Sequence, residues 1–277
     1  MAAFIINDAL VKIVSRSLPA GQMIFVRGLL VLVLMLAVAH ASGATARLGD
    51  LVRRRVALRG IIDAGATTLY LASLIHLPIA NATAINLAAP LFMTLLAMLF
   101  MNERVGWTGW LAVVVGFAGV LLVVQPRAAG FNAWALVCLA ATLLHAVRDL
   151  MTRRIAAGVP SILIALASAI AACVIAGIYS MAEGWRPLGA VDAALLGAAA
   201  VAVATGYYFI IASYRLGDVA VIAPFRYSAL LFALLLGYVL WGDVPNALAW
   251  CGISLVIGAG LYVIVAERRR AGAATPS

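Results

Sequence analysis

Charge is what this chain has least of. Only 10% of its 277 residues are Asp, Glu, Lys or Arg, against about 25% in an ordinary soluble domain. Apolar side chains make up 66%, and the mean hydropathy is +1.13. In water such a chain would leave more apolar surface than one core of this size can hide. A soluble globule is therefore excluded, as are disordered, collagen-like and disulfide-rich secreted chains. Cysteine is scarce as well: Cys138, Cys173 and Cys251 each sit within an apolar run, outside any CxxC or metal-ligand spacing, and read as packing residues. Three scattered histidines, with no HExxH or GxSxG, leave no enzyme motif, and no metal or cofactor is called for. A basic n-region is missing too. Apolar Ala2 to Ile6 follow Met1 at once, so the first helix either starts at the terminus or has been shortened there.

What is present is one apolar run after another. At about 20 residues per spanning helix, the chain has room for roughly ten spans joined by short loops. A transmembrane barrel needs segments of about ten residues alternating apolar and polar, and Leu29 to Ala39 do not alternate. The expected fold is an all-α integral membrane protein with ten transmembrane helices. Boundaries at Pro, Gly and charge clusters place them near 2–17, 22–42, 59–77, 81–101, 107–125, 131–152, 160–181, 192–214, 218–241 and 246–266.

The formal charge of +9 reads as membrane orientation rather than nucleic-acid binding, because basic loops stay on the cytoplasmic side. With both termini cytoplasmic, twelve arginines fall inside: Arg47, Arg53, Arg54, Arg55, Arg59, Arg104, Arg153, Arg154, Arg215, Arg268, Arg269 and Arg270. Only Arg16, Arg127 and Arg186 fall outside, while Lys12, Arg27, Arg148 and Arg226 lie within spans.

The chain also repeats itself. Asp8, Lys12 and Pro19 recur 141 residues later as Asp149, Arg153 and Pro160. Ala72-Ser73, Ala80, Leu91-Phe92, Leu95-Leu96 and Trp110 recur 140 residues later as Ala212-Ser213, Ala220, Leu231-Phe232, Leu235-Leu236 and Trp250, and Glu103 matches Asp243. The division falls near Gln125 to Gly130, giving a first five-helix repeat over 1–127 and a second over 128–277. Five is odd, so the second half enters from the opposite side of the bilayer. Inverted repeats are a common plan of secondary transporters, with the substrate site near the midplane between the halves.

Polar residues inside the spans fall on single helix faces. Asp63, Thr67 and Tyr70 share one face; Thr83, Asn86 and Pro90 another; Thr142, His145 and Asp149 a third. Spans eight and nine add Thr205, Tyr207, Tyr208, Pro224, Arg226, Tyr227 and Ser228. A polar stripe facing lipid is costly, so as a set these residues resemble a cavity lining, although each Ser, Thr or Tyr alone reads equally as an interhelical hydrogen bond. Asp63 lies one turn from Arg59 and reads as half of a structural ion pair. Asp8–Lys12 and Asp149–Arg153 are i,i+4 pairs with the acid first, the favourable order; they suit gates at opposite mouths of a pathway and snorkelling interfacial charges equally. Pro90 and Pro224 are bending points or static kinks. Histidine is the side chain that ordinarily titrates nearest physiological pH, so His76 and His145 suit a proton relay, though a hydrogen-bonded packing role is the commoner one. The residues expected to touch substrate are Arg226, Tyr227, Asn86, Thr67, Tyr70, His145, Tyr207 and Tyr208. Arg226 suits a carboxylate and the tyrosines suit an aromatic side chain or an ammonium group, although a flavin or nucleoside would like the same walls. Gly109, Gly116, Gly252 and Gly258 mark spans five and ten as scaffold, where small residues let helices approach.

With these residues in view, the sequence resembles the drug/metabolite transporter superfamily, and within it the ten-helix EamA-type permeases. Asn7 with Lys12 five residues on, Arg27, and the run Pro90, Glu103, Gly109, Gly116, Gly119-Val120 fit the family pattern, and Asp243, Pro245, Gly252 and Gly258 repeat it. Leu230 stands where a second proline is expected, and the aromatic-glycine pair usual in the first helix is absent. The resemblance implies an inner-membrane secondary transporter of small organic metabolites working by alternating access. It points first to amino-acid export with broad or aromatic specificity, and second to import of riboflavin, S-adenosylmethionine or a similar metabolite. The expected partners are the lipid bilayer and a small-molecule substrate, with the chain a monomer or a homodimer. A channel would instead show a ring of repeated filter residues across subunits. A membrane-embedded enzyme would need a paired nucleophile and base.

The arginine bias yields a topology test. Reporter fusions after Arg55 and after Arg270 should both report cytoplasm, and one after Trp185 the opposite side. A periplasmic signal after Arg55 would overturn the inverted arrangement.

Overall fold

A computed structural model describes residues 1–101, 107–125, 132–152, 155, 158–216 and 223–273. The side chains of Met101, Tyr208, Ile210 to Leu216, Ala223, Pro224 and Glu267 to Ala273 lie outside that description. Among the described residues all regular structure is helical: α1 (Ala2–Val14), α2 (Ala20–Ala41), α3 (Arg54–His76), α4 (Ile79–Asn86), α5 (Ala89–Met101), α6 (Trp107–Val124), α7 (Trp134–Thr152), α8 (Ser161–Glu183), α9 (Ala190–Leu216), α10 (Ser228–Trp241) and α11 (Ala247–Ala273). Two 3₁₀ segments, Ala44–Val52 and Ala223–Tyr227, precede α3 and α10. Eight helices, counting α4 and α5 together, are long and apolar enough to cross a membrane. The shorter α1 and the segment Phe225–Trp241 complete the ten expected membrane helices.

Local sequence explains most of the helix boundaries. Pro19, Pro78 and Pro160 each stand immediately before a helix, with φ between −60° and −54°. There their missing N–H would have had no intrahelical partner. Gly242 closes α10 with φ 70°, a left-handed conformation that costs a glycine nothing. Its N–H returns to the Tyr238 carbonyl at 2.9 Å, and the next N–H, of Asp243, to Gly237 at 3.1 Å, so the last carbonyls of α10 are met.

Three boundaries differ from those expected. The helix begins at Arg54 rather than 59, so Arg54 and Arg55 ride on α3. The span expected at 81–101 begins at Ile79 and is interrupted: α4 ends at Asn86, Leu87 and Ala88 form a turn, and Pro90 sits in the first turn of α5. A proline cannot return a hydrogen bond to the carbonyl four residues before it, and here that carbonyl belongs to Asn86. Pro90 therefore begins a helix where a kink within one was expected. The span expected at 218–241 is likewise a 3₁₀ turn, Ala223–Tyr227, followed by α10.

The packing follows an exchange of the two halves, with α1, α2, α3, α4–α5 and α6 taking the places of α7, α8, α9, the 3₁₀ turn with α10, and α11. Helices α2 and α8 pair across the halves, as do α6 and α11, each with its own counterpart. The α4–α5 unit also meets its counterpart α10, through α4, and three further contacts come in matched sets: α3–α7 with α1–α9, α3–α8 with α2–α9, and α5–α7 with α1–α10. The α2–α8 and α6–α11 contacts are both built on glycine. A Cβ on Gly119 would lie 2.7 Å from the Gly252 carbonyl oxygen, and one on Gly252 would lie 2.5 Å from that of Gly119. A Cβ on Gly21 would lie 2.7 Å from the backbone nitrogen of Ser180. In lipid no hydrophobic drive holds helix to helix, so close backbone approach through small residues supplies the attraction. Gly116 packs against Leu91 and Ala259, whereas Gly258, expected beside Gly252, has open space around it.

Glycine substitution should separate the two cases. Gly252→Ala forces backbone against backbone and should cost about 1–3 kcal/mol, the usual range for overpacking, seen as a lower unfolding midpoint in detergent. Gly258→Ala should leave the midpoint unchanged or raise it slightly, since alanine is the better helix former.

Candidate functional site

Between the halves lies a cavity of about 340 Å³. Its walls come from α1, α2, α3, the α4–α5 break, α7, α8, α9 and the turn leading into α10. Of the residues expected to touch substrate, Thr67, Tyr70, Asn86, His145, Tyr207 and Arg226 all line it. Tyr227 does not: it is buried against Gly260 of α11, with its hydroxyl unpaired among the described residues. That placement sets it apart from the other six, and the reason is geometric. Arg226 and Tyr227 are neighbours in a tight 3₁₀ turn, so their side chains leave in different directions. The side chains of Tyr208 and Pro224 lie outside the described residues, and so does Arg153.

The cavity is more charged than the sequence suggested, and its charges form two networks. In the first, Asp63 of α3 is gripped by two arginines. Arg148 of α7 donates to its Oδ1 at 2.7 Å, and Arg59 to its Oδ2 at 3.1 Å. Arg148 also meets Asp149 at 2.8 Å. Arg59 donates to Ser168 of α8 at 2.5 Å and to Thr152 of α7 at 3.1 Å. The expected Arg59–Asp63 pair is thus one edge of a lattice that ties α3, α7 and α8 together. It sits toward the end of the bundle that carries Met1 and Thr152, the end expected to be cytoplasmic.

The second network lies deeper. Arg27 of α2 donates from Nη1 to the Asn7 side-chain oxygen at 2.8 Å. The Asn7 amide nitrogen in turn donates to Asp8 Oδ1 at 2.9 Å, and the Tyr70 hydroxyl donates to Asp8 Oδ2 at 3.0 Å. The Tyr70 ring lies 6.2 Å from that of His145, whose Nδ1 is 2.9 Å from the side-chain oxygen of Asn86. Since the amide oxygen only accepts, the proton on His145 sits on Nδ1 with Asn86 so oriented. Asn86 is the last residue of α4, so the helix break sets its side chain at the cavity wall.

Asp8 and Lys12, one turn apart, part company. Asp8 faces the cavity, while Lys12 donates to the Leu77 carbonyl at the far end of α3 and lies 5.2 Å above the Trp241 ring. Lys12 therefore links α1, α3 and α10 at the end opposite the Arg59 lattice. Asp149 pairs with Arg148 behind the cavity wall. His76 stays outside too, stacked on Trp134 at 4.0 Å.

Sequence reasoning gave Arg27, Arg148, Asn7 and Ser168 no part in a substrate site. For Arg148 a signal existed: it lies three residues after His145, on the same helix face, and an ionisable residue within a span is a site candidate by default. For Ser168 there was none, because its partner Arg59 is distant in sequence.

The model of the EamA-like transporter family matches residues 1–125 and again 132–266. The riboflavin transporter of Rhizobium johnstonii is 30% identical over 213 residues, 76% of this chain and 70% of that protein. The S-adenosylmethionine uptake transporter of Rickettsia bellii is 26% identical over 212 residues, 76% and 72% of the two chains. The pseudopaline exporter of Pseudomonas aeruginosa is 27% identical over 261 residues, 92% and 89%. A crystal structure 21% identical in sequence superposes with a TM-score of 0.65 over 97% of this chain and 96% of its own, which shows the shared fold. Helices, cavity and family matches converge: the chain is a multi-pass membrane protein and belongs to the EamA-like transporter family of small-metabolite carriers.

Proposed function

We propose that the chain is an alternating-access secondary transporter of small organic acids, amino acids foremost, in the bacterial inner membrane with both termini in the cytoplasm. Its moving units are the halves 1–127 and 128–277. On this reading the cavity is the inward-facing substrate site and the Lys12–Leu77–Trp241 contact is part of the closed outer gate. The volume of about 340 Å³ is at the small end of the ~300–1,000 Å³ usual for ligand pockets, which suits a cargo of amino-acid size. Relatives named for uptake and for export stand side by side, and an alternating-access cavity serves either direction as its gradients dictate. S-adenosylmethionine, the cargo named for one relative, carries an α-amino-acid headgroup and an aromatic base, the two features these walls suit.

One observation carries the carboxylate. Arg226 lines the cavity with no hydrogen bond or ion pair among the described residues. An arginine within the hydrocarbon core is costly, about 2.5–3.5 kcal/mol at a helix centre on insertion scales, so one in the turn ahead of α10 persists where water or a counter-charge meets it. Its planar fork matches a carboxylate with two parallel hydrogen bonds.

In proteoliposomes, Arg226→Ala and Arg226→Lys should both weaken binding of an α-carboxylate cargo by about tenfold or more, on the scale of a charge-assisted hydrogen bond. Binding of the uncharged amide should change by no more than about twofold. Equal losses for acid and amide would make Arg226 structural. In a background without Cys138, Cys173 and Cys251, single cysteines at Thr67 and Asn86 should react with a small polar thiol reagent, and cargo should slow the reaction. A cysteine at Tyr227 should stay unreactive.

A further inference from the structure

Asp8 is buried at 8% exposure inside the bundle, yet its side chain faces the cavity. Its two oxygens receive one hydrogen bond each, both from neutral donors, the Asn7 amide and the Tyr70 hydroxyl. No cation pairs with it among the described residues. Lys12, one helical turn away, is committed to the Leu77 carbonyl and the Trp241 ring. Arg27 comes nearest but is held off by Asn7, whose oxygen takes the Arg27 proton while its nitrogen serves Asp8. Arg27 is left with a buried Nε that has no partner. The protein has thus placed unlike charges on either side of one amide without letting them meet.

A carboxylate offers about four lone-pair positions, and this one has two filled. A buried carboxylate without a cation is costly; Asp63, in the same cavity, has two arginines. The contrast sets Asp8 apart as the acid left open to a cation that arrives with the cargo.

We infer that Asp8 receives the ammonium group of the cargo, so that the cavity selects zwitterionic α-amino acids over simple carboxylic acids. The recognition is two-ended, with the carboxylate on Arg226 and the ammonium on Asp8, in the cavity that Tyr70 and His145 also line. This rests on the carboxylate-transport reading above and names its substrate class. Asn7 and Tyr70 act as positioning residues: each fixes one oxygen of Asp8 and leaves a second lone pair directed elsewhere. Arg27 holds Asn7 in the orientation that donates to Asp8, and so acts on the ammonium site through another residue.

The test is counterflow of labelled L-phenylalanine in proteoliposomes, with three competitors: phenylalanine itself, 3-phenylpropionate, which lacks the ammonium, and phenylalaninamide, which lacks the carboxylate. In the unmodified protein, phenylalanine should compete at least about tenfold better than 3-phenylpropionate, the scale of a hydrogen bond to a charged group. Asp8→Asn keeps the shape and one accepting oxygen for the Asn7 amide, while the Tyr70 hydroxyl can turn to accept from the new amide nitrogen; it should shrink that gap to about twofold or less. Asp8→Glu should retain most of it. A gap that survives Asp8→Asn overturns the inference, and so does the absence of a gap in the unmodified protein, which needs no variant to fold. The amide arm reports separately: phenylalaninamide competing as well as phenylalanine sinks the Arg226 reading while leaving the ammonium site standing. Absence of any phenylalanine counterflow overturns both.

Discussion

Asp63, held between Arg59 and Arg148, is the contact from which much of the architecture around the cavity follows. A lone carboxylate in a low-dielectric interior is so costly that it must be neutralised or paired. Two guanidinium groups from different helices neutralise it and satisfy its oxygens in the plane of the carboxylate. Because Arg148 sits on α7 and Arg59 reaches on to Ser168 of α8, one carboxylate fixes three helices that belong to different halves of the chain. Taking away one partner of a buried pair typically costs about 3–5 kcal/mol. Asp63 has a second partner in reserve, so the loss of either arginine still leaves the carboxylate paired. The same lattice closes one wall of the cavity, so the charges that hold the helices also shape the field the cargo meets.

The opposite constraint governs the helix breaks. A spanning helix satisfies its own backbone, and any interruption leaves carbonyls that lipid cannot solvate; such breaks persist only where they face protein or a wet cavity. The break at Leu87–Ala88 and the 3₁₀ turn at Ala223–Tyr227 both face inward. They deliver Asn86 and Arg226, residues 140 apart in the repeat register, to one cavity. The gain is positional. A side chain at a helix end can be aimed where one in mid-helix, locked into the 3.6-residue period, cannot.

Much of this was legible in the sequence. Composition alone excluded a soluble fold, and apolar runs located the described spans, because in a membrane the length of a helix is set by the thickness of the hydrocarbon; the basic ends, Arg54-Arg55 on α3 and residues 267–273 on α11, were read as loops. The faces carrying Thr67 and Tyr70, and Asn86 with His145, were readable from helical spacing. What was not readable has a common cause. Arg59–Ser168, Arg27–Asn7 and Lys12–Leu77 all join residues distant in the chain, and a one-dimensional pattern holds no record of which helix faces which. Asp8 and Lys12 show this most clearly: the i,i+4 spacing marks them as a pair, and tertiary packing turns them to different partners. Tyr227 lies apart from the cavity for a local reason. It directly follows Arg226, and neighbours on any helical turn leave it about 100–120° apart, so with Arg226 on the cavity its side chain goes to Gly260.

The four arginines of the cavity are not equivalent, and their differences explain how a positively lined site avoids becoming a trap. Arg59 and Arg148 spend their charge on Asp63 and Asp149, so they contribute geometry and little net field. Arg27 gives one hydrogen bond to an amide and remains a buried charge with an unpartnered Nε, separated from Asp8 by Asn7. Only Arg226 faces the cavity without a hydrogen bond or ion pair among the described residues. A site with all four charges exposed would hold an anion too tightly to release it, since attraction between unscreened charges grows steeply as water is excluded. Carriers need the reverse, binding strong enough to select and weak enough to let go. On the proposed reading, one open cation and one open acid would meet that need for a zwitterion: its two ends cancel each other in water, so each local attraction would be offset by a comparable loss of hydration. Affinity stays modest while the requirement for both ends to fit supplies the discrimination.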